Sequence, residues 1–121
     1  MTSNKFCVSL TCSRNDTDKA TVAFVVANAA VASEKETVVF LNVEGVRLAV
    51  KGGAEGVHEA GFAALADLMN NFVKAGGKLW VCSPCFKKRA LDENALVAGA
   101  QIVGGASLVE FLAQGAPCIS Y

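Results

Sequence analysis

The sequence predicts an α/β protein built on a parallel β-sheet with helices on both faces. Short runs rich in β-branched and apolar residues alternate along the chain with segments of helical periodicity. One of these runs, TVVFLNV at 37–43, is almost continuously apolar, as expected of a strand covered on both faces. Strands that alternate with helices in this way pair in parallel through right-handed crossovers.

The first strand is predicted at 6–12, where FCVSLTC is short and β-rich. A polar loop follows, and Asp16 or Thr17 is suited to cap a helix at 17–33, because side-chain oxygens accept the free N–H groups of a first turn. This helix is apolar nearly all round, which predicts burial on several sides. After the second strand at 37–43, the 43–50 segment fits a short helix.

The second half of the chain continues the alternation. Apolar residues recur at helical spacing from Phe62 to Phe72, and Gly76 follows as a C-cap, which predicts a helix at 58–75. KLWVC at 78–82 is the third strand, and a short helix is predicted at 85–91. The remaining elements are a strand at 100–104, a helix at 108–114 behind a Ser107–Glu110 capping box, and a strand at 117–121.

Composition narrows the class of protein. A chain of 121 residues fits one domain, here 1–121. Eleven basic and eleven acidic residues give zero formal net charge, which indicates no nucleic-acid or membrane-surface partner. The apolar fraction is 53%, yet the longest apolar stretch, 20–32, is shorter than the ~20 residues of a membrane span. This apolar excess predicts burial against other subunits.

The thiols indicate a reducing compartment. The N-terminus shows no signal-peptide pattern, and the five cysteines are an odd number. Both observations argue against structural disulfides and predict a cytoplasmic protein with reduced thiols. Cys7 and Cys118 fall inside predicted strands, where packing is the expected role.

The stretch KLWVCSPCFKKR carries the candidate chemistry. Cys82 ends the third strand, and the working residues of parallel sheets lie beyond the carboxyl ends of their strands. A helix that starts just after it favours a thiolate, and Lys87 and Arg89 add positive potential. We therefore expect a lowered pKa for Cys82 and identify it as the candidate nucleophile. Cys85 completes a C-x-x-C pair, and inert packing is the competing interpretation.

Three further interpretations are weaker. Thioredoxin-like folds place their C-x-x-C pair after an early strand, whereas this pair follows three strands. A zinc site needs about four ligands, and one pair supplies two. Cys12 ends the first strand and is a candidate auxiliary thiol, although packing is the more usual role of such a residue. The sequence indicates no cofactor.

Four features in order resemble the DsrE/DsrF-like superfamily, also called the YchN-like fold. They are SRNDTDKATVAFVVANAAVA after the first strand, VVFLNVEGVRLAVKG, LWVCSPCFKKRAL, and GAQIVGGASLVEFLAQG near the end. The resemblance implies a three-layer α/β/α domain with a five-stranded parallel sheet that forms homotrimers or homohexamers. It also implies sulfur relay, since some members carry a persulfide on a cysteine after the third strand, which matches Cys82. Cys85 departs from that pattern, because the residues there are mostly apolar in the relay proteins.

These observations lead to one functional hypothesis and two alternatives. The first is a cytoplasmic sulfur-transfer or thiol-redox protein, compatible with a sulfurtransferase, that exchanges sulfur with donor and acceptor proteins through Cys82. One alternative is a non-catalytic oligomeric or small-ligand-binding module, in which 43–56 of one chain lies near Cys82 of another. The other alternative is a C-x-x-C disulfide oxidoreductase that uses Cys82 and Cys85.

Overall fold

A computed structural model describes residues 4–121. Its strands are Lys5–Leu10 (β1), Glu36–Leu41 (β2), Lys78–Cys82 (β3), Ala100–Val103 (β4) and Cys118–Ser120 (β5). They form one sheet in the order β4-β3-β2-β1-β5, and every neighbouring pair runs parallel. The predicted α/β class with a five-stranded parallel sheet is confirmed.

Helices occupy the connections between the strands. The α-helices are Thr17–Ala32 (α1), Leu65–Lys74 (α2), Ser83–Lys88 (α3) and Gly105–Ala113 (α4). Two 3₁₀ helices span Val43–Ala49, called the 43–49 segment below, and Glu93–Ala95. At seven residues, the 43–49 segment is longer than the three or four residues usual for this helix type.

Helix α1 follows its prediction closely. The Asp16 side chain accepts a hydrogen bond from the Lys19 backbone N–H at 3.0 Å, so the helix begins where the sequence places its cap. Burial on several sides is also confirmed, because α1 packs against α2 as well as against the sheet. Phe24 of α1 meets Phe72 of α2 edge to face at 6.0 Å between ring centroids.

Helix α2 is shorter than its prediction at 58–75, which is wrong before Leu65. Gly61 adopts a φ of 85°, a left-handed conformation that a helix cannot continue through. The chain instead turns back, and the Leu65 N–H donates to the Val57 carbonyl at 3.0 Å. Phe62, predicted on the buried helical face, is 38% exposed in this irregular stretch.

Helix α4 begins earlier than predicted. The Gly104-Gly105 pair starts the helix, with Gly104 as its N-cap and no side-chain cap. Ser107 therefore lies inside the first turn, where its N–H bonds to the Gly104 carbonyl at 3.1 Å. The predicted Ser107–Glu110 capping box is wrong, because both of its residues are already helical.

The sheet buries its two faces unequally. The larger core lies on the side of α1 and α2 and includes Leu10, Leu41 and Val81 from the strands. The smaller core lies under α4, where Phe111 packs edge to face on Trp80 at 5.5 Å. Within residues 4–121, no helix is long and apolar enough to cross a membrane.

Candidate functional site

Three strand ends lie side by side at the carboxyl edge of the sheet. Strand β2 pairs with β1 on one side and with β3 on the other. Cys12-Ser13, the 43–49 segment and Cys82-Ser83 therefore follow adjacent strands. The sequence predicts Cys12 and Cys82 at the ends of their strands, and the topology brings both, with the 43–49 segment between them, to one edge of the sheet.

Cys82 sits where β3 passes directly into α3. It is both the last residue of β3 and the N-cap of α3, and it is half-buried. Pro84 stands in the first turn, where its fixed φ suits a helix and its missing N–H costs no hydrogen bond. Helix α3 thus begins at Ser83, two residues before the predicted start at 85–91. Cys85 consequently lies inside the helix, in its first turn.

Cys85 lies three residues after Cys82, in the first turn of the helix that Cys82 caps. Both its backbone N–H and its side chain act on the charge state of the Cys82 thiol. Both residues are half-buried and both are free thiols. An amide N–H directed at a sulfur stabilises a negative charge on that sulfur, whether thiolate or persulfide.

Burial nevertheless raises the pKa of the Cys82 thiol above its ordinary value. The hydrogen bond and charge of the Cys85 side chain raise this pKa as well, whereas the Cys85 amide and the Arg89 charge lower it. The predicted lowering of the Cys82 pKa is therefore wrong. Helix α3 has only six residues, and Lys87 and Lys88 are exposed to solvent, so desolvation outweighs their positive potential.

Arg89 is held over the site by an ion-pair cluster. Its Nε donates to Glu44 Oε2 at 2.6 Å, and its Nη1 donates to the Cys85 carbonyl at 3.1 Å. Glu44 also accepts from Arg47 Nε at 2.8 Å. The Arg89 side chain is only 11% exposed. Its guanidinium group lowers the pKa of Glu44, and that of Arg47 lowers it to a smaller extent. Glu44 therefore connects the 43–49 segment to α3 within one chain.

Two unusual backbone conformations flank this cluster. Val43 has a φ of 53° just before Glu44, and Ala90 has a φ of 51° just after Arg89. A left-handed β-branched residue is a genuine outlier that costs on the order of 1–3 kcal/mol. The surrounding contacts must therefore hold the 43–49 segment in place. Strained backbone of this kind is concentrated at functional sites.

A known protein family matches nearly the whole chain. The model of a family described as DsrE/DsrF-like matches residues 4–121. The chain belongs to the DsrE/DsrF-like family. Membership indicates a role related to sulfur relay.

Solved structures of low sequence identity share the fold of this DsrE/DsrF-like chain. The YchN protein from E. coli superposes with a TM-score of 0.79 at 12% identity, over 97% of this chain and 99% of that one. MTH1491 from Methanobacterium thermoautotrophicum, a protein of unknown function, gives a TM-score of 0.67 at 15% identity over the same shares. At these identities the likeness shows the fold alone.

A curated relative is closer in sequence but longer. The chain is 29% identical over 97 residues to the uncharacterized protein MJ0760 of Methanocaldococcus jannaschii. The match covers 80% of this chain and 35% of that protein. The DsrE/DsrF-like chain thus spans about a third of the length of this relative.

Cys12 does not join the thiol pair of this DsrE/DsrF-like protein. It is 8% exposed and belongs to the larger core, with Thr11 Oγ1 3.7 Å from its sulfur. Strands β1 and β3 lie on opposite sides of β2, which separates their ends by about 10 Å. Cys12 is therefore placed for packing.

An apolar cavity of about 180 Å³ lies apart from the cysteines. Leu48, Met69, Val73 and Leu79 line it between the 43–49 segment, α2 and the start of β3. Asn70 adds a polar group to its wall. Among residues 4–121, no group of three or more His, Cys, Asp or Glu side chains is arranged to hold a metal ion.

The Glu44 contacts were not predicted from the sequence. Glu44 and Arg89 are 45 residues apart in the chain, and neither belongs to a recognisable motif. The one local signal was the charged pair Glu44 and Arg47 at helical spacing, which is usually a solvated surface pair. Only the packing of the 43–49 segment on α3 turns Glu44 into a partner of the cysteine site.

Proposed function

We propose that this protein is a sulfur carrier that holds a persulfide on Cys82. The observation that carries the proposal is the position of Cys82, a half-buried free thiol that ends β3 at the carboxyl edge of the sheet and caps α3. Membership of a family related to sulfur relay supports it. A cytoplasmic location and donor and acceptor proteins are parts of the same proposal.

The proposed transfer has two steps. The Cys82 thiolate attacks the outer sulfur of a donor persulfide, so a Cys82–sulfur bond forms, the donor S–S bond breaks, and the donor leaves as a thiol. An acceptor thiolate then attacks the outer sulfur and returns Cys82 to a thiol. Alternatively, Cys85 attacks the Cys82 sulfur, which releases hydrosulfide and leaves a Cys82–Cys85 disulfide.

The raised resting pKa is part of this mechanism. Burial leaves the Cys82 thiol mainly protonated at neutral pH, so its proton must leave as the donor is attacked. The Cys85 amide and the Arg89 charge then stabilise the anion that forms, because they are already in position. Lys87 is exposed beside them and is proposed to attract anionic donors.

Mass spectrometry after incubation with a low-molecular-weight persulfide tests the proposal. The wild-type chain and a Cys12→Ser control are expected to gain one sulfur atom on the tryptic peptide that contains Cys82, and a Cys82→Ser variant is expected to gain none on that peptide. A Cys85→Ser variant should hold the added sulfur longer, because the internal attack is lost. Equal sulfur uptake by the Cys82→Ser variant would remove Cys82 from the role.

The apolar cavity favours a second candidate function, a small-ligand-binding module. Its volume of about 180 Å³ suits a small apolar molecule, and Asn70 could orient a polar end. Benzene is a suitable probe, with binding measured from NMR shifts of the Met69 methyl group. Val73→Phe should fill the cavity and abolish those shifts while leaving sulfur uptake by Cys82 unchanged. Unchanged benzene shifts in Val73→Phe would contradict this candidate.

Self-association as a homotrimer or homohexamer remains a proposal. Exposed apolar side chains support it, since Val109 of α4 is 67% exposed and Ile119 of β5 is 40% exposed. Sedimentation equilibrium measures the mass directly. A strictly monomeric chain at micromolar concentration would refute this proposal.

A further inference from the structure

A second pair of thiols lies across the edge of the sheet. Strand β5 is the edge strand beside β1, and Cys7 and Cys118 are direct partners in their parallel register. Partners in a parallel ladder point to the same face of the sheet. The Cys7 N–H donates to the Pro117 carbonyl at 2.9 Å, which joins the two strands at this pair. Both positions were expected to pack, yet Cys118 is exposed.

The spacing of the two strands is compatible with a disulfide. Adjacent strands lie about 4.8 Å apart, within the range of about 4.4–6.8 Å that Cα atoms span across disulfides. Bonded cysteines need Cβ atoms about 3.8 Å apart, so the edge strand has to move inward. Strand β5 has only three residues and one neighbour in the sheet, which leaves it free to make such a movement.

The two thiols have different environments. Cys7 is completely buried, and burial, followed by the neighbouring Cys118, raises the pKa of Cys7 to about 12. Cys118 is open to solvent. An external disulfide therefore reaches Cys118 first, and Cys7 is positioned to attack the mixed disulfide that forms on Cys118. This asymmetry is the arrangement of an attacking thiol with a resolving thiol behind it.

We propose that Cys118 and Cys7 form a thiol–disulfide exchange site for low-molecular-weight disulfides. The Cys118 thiolate attacks one sulfur of the reagent, a mixed disulfide forms, and one reagent thiol leaves. Cys7 then loses its proton and attacks the Cys118 sulfur, which expels the second reagent thiol and forms the Cys7–Cys118 disulfide. The reagent is reduced by two electrons and the protein pair is oxidised by two.

The product has a defined effect on the fold. The bond joins the edge strand to β1 and closes a loop of nearly the whole chain, which constrains the unfolded state most strongly. Because the strands must move together, the disulfide is strained, and strained disulfides are readily reduced again. Cys82 ends β3, two strands away from β1, so this site does not depend on sulfur transfer at Cys82.

Tryptic mapping after treatment with oxidised glutathione tests the proposal. Cleavage after Lys5, Arg14 and Arg89 places Cys7 in peptide 6–14 and Cys118 in peptide 90–121, apart from the Cys82–Cys85 peptide. A Cys12→Ser chain removes the other thiol of peptide 6–14. The expected product in that chain is a cross-link between 6–14 and 90–121, with a melting temperature higher by at least about 5 °C.

A matched variant separates this result from general oxidation. Adding Cys118→Ser should leave Cys7 unmodified by glutathione and the melting temperature unchanged, since Cys7 is buried. Three results would overturn the proposal. They are a glutathione adduct that persists on Cys118, dimers linked through Cys118, and modification of Cys7 in the Cys118→Ser chain to the same extent as in the chain that keeps Cys118. Each result is read from the mass map, so none depends on the stability of a variant lacking Cys7.

Discussion

Replacing Gly45 with alanine tests whether the close approach of the 43–49 segment to β1 is required by the fold. A Cβ at Gly45 would lie 2.3 Å from the Leu10 carbonyl oxygen, which is backbone and cannot rotate away. The same oxygen accepts the Asn42 N–H at 3.0 Å, so relief of the clash also strains that hydrogen bond. Overpacking costs about 2 kcal/mol and a weakened hydrogen bond about 1 kcal/mol. We expect Gly45→Ala to lower the free energy of unfolding by about 3 kcal/mol.

The assay is urea unfolding followed by far-UV circular dichroism, with thermal melting as a second measurement. At this chain length about 3 kcal/mol corresponds to a fall of about 12 °C in melting temperature. Gly105→Ala is the matched control, because a Cβ there meets nothing within 4 Å and Gly105 is helical. The control should be neutral or gain up to about 0.5 kcal/mol. If Gly45→Ala unfolds within about 0.5 kcal/mol of the control, the close approach to Leu10 is not a constraint.

Three further predictions follow from individual contacts. The pH at which alkylation of Cys82 reaches half its maximal rate should lie above the ordinary thiol pKa. Arg89→Gln should raise this midpoint further, because the guanidinium lowers the Cys82 pKa. An unchanged midpoint would show that Arg89 does not act on the Cys82 thiol. Asp16→Ala should cost about 1 kcal/mol in urea unfolding through loss of the α1 cap, whereas Asp16→Asn should cost much less. Phe72→Ala should cost about 3–5 kcal/mol, and a loss below 1 kcal/mol would contradict its full burial.

Much of the fold follows from local patterns. The continuous apolar run of β2 and the alternation of strands with helices were enough to predict a parallel sheet, because both patterns reflect burial on two faces. The start of α1 was predictable because Asp16 is a chemical cap. The error in α2 has an equally local cause, since Gly61 breaks a periodic pattern that runs through Phe62. Periodicity indicates which face would be buried but does not show where the backbone leaves the helix.

The candidate site was predictable in position but not in its electrostatics. The sequence placed Cys82 at the end of β3, and the topology confirms that this end lies at the carboxyl edge of the sheet. The direction of its pKa shift depends on how deeply the thiol is buried, and sequence spacing does not report depth. Glu44 was missed for a related reason, because its partner Arg89 reaches it only through packing of two distant segments.

The balance of effects at Cys82 also constrains the partner. Water still reaches this half-buried thiol, and its pKa is already raised with that water present. A docked partner that only covered the site would remove the remaining water and raise the pKa further. The Cys85 amide and the Arg89 charge already lower this pKa, and Arg89 is bound to Glu44 and to the Cys85 carbonyl. If Cys82 carries sulfur as proposed, a donor that also brings a cation or a hydrogen-bond donor to the Cys82 sulfur is expected to react faster at neutral pH, because it adds to the stabilisation that these two groups supply.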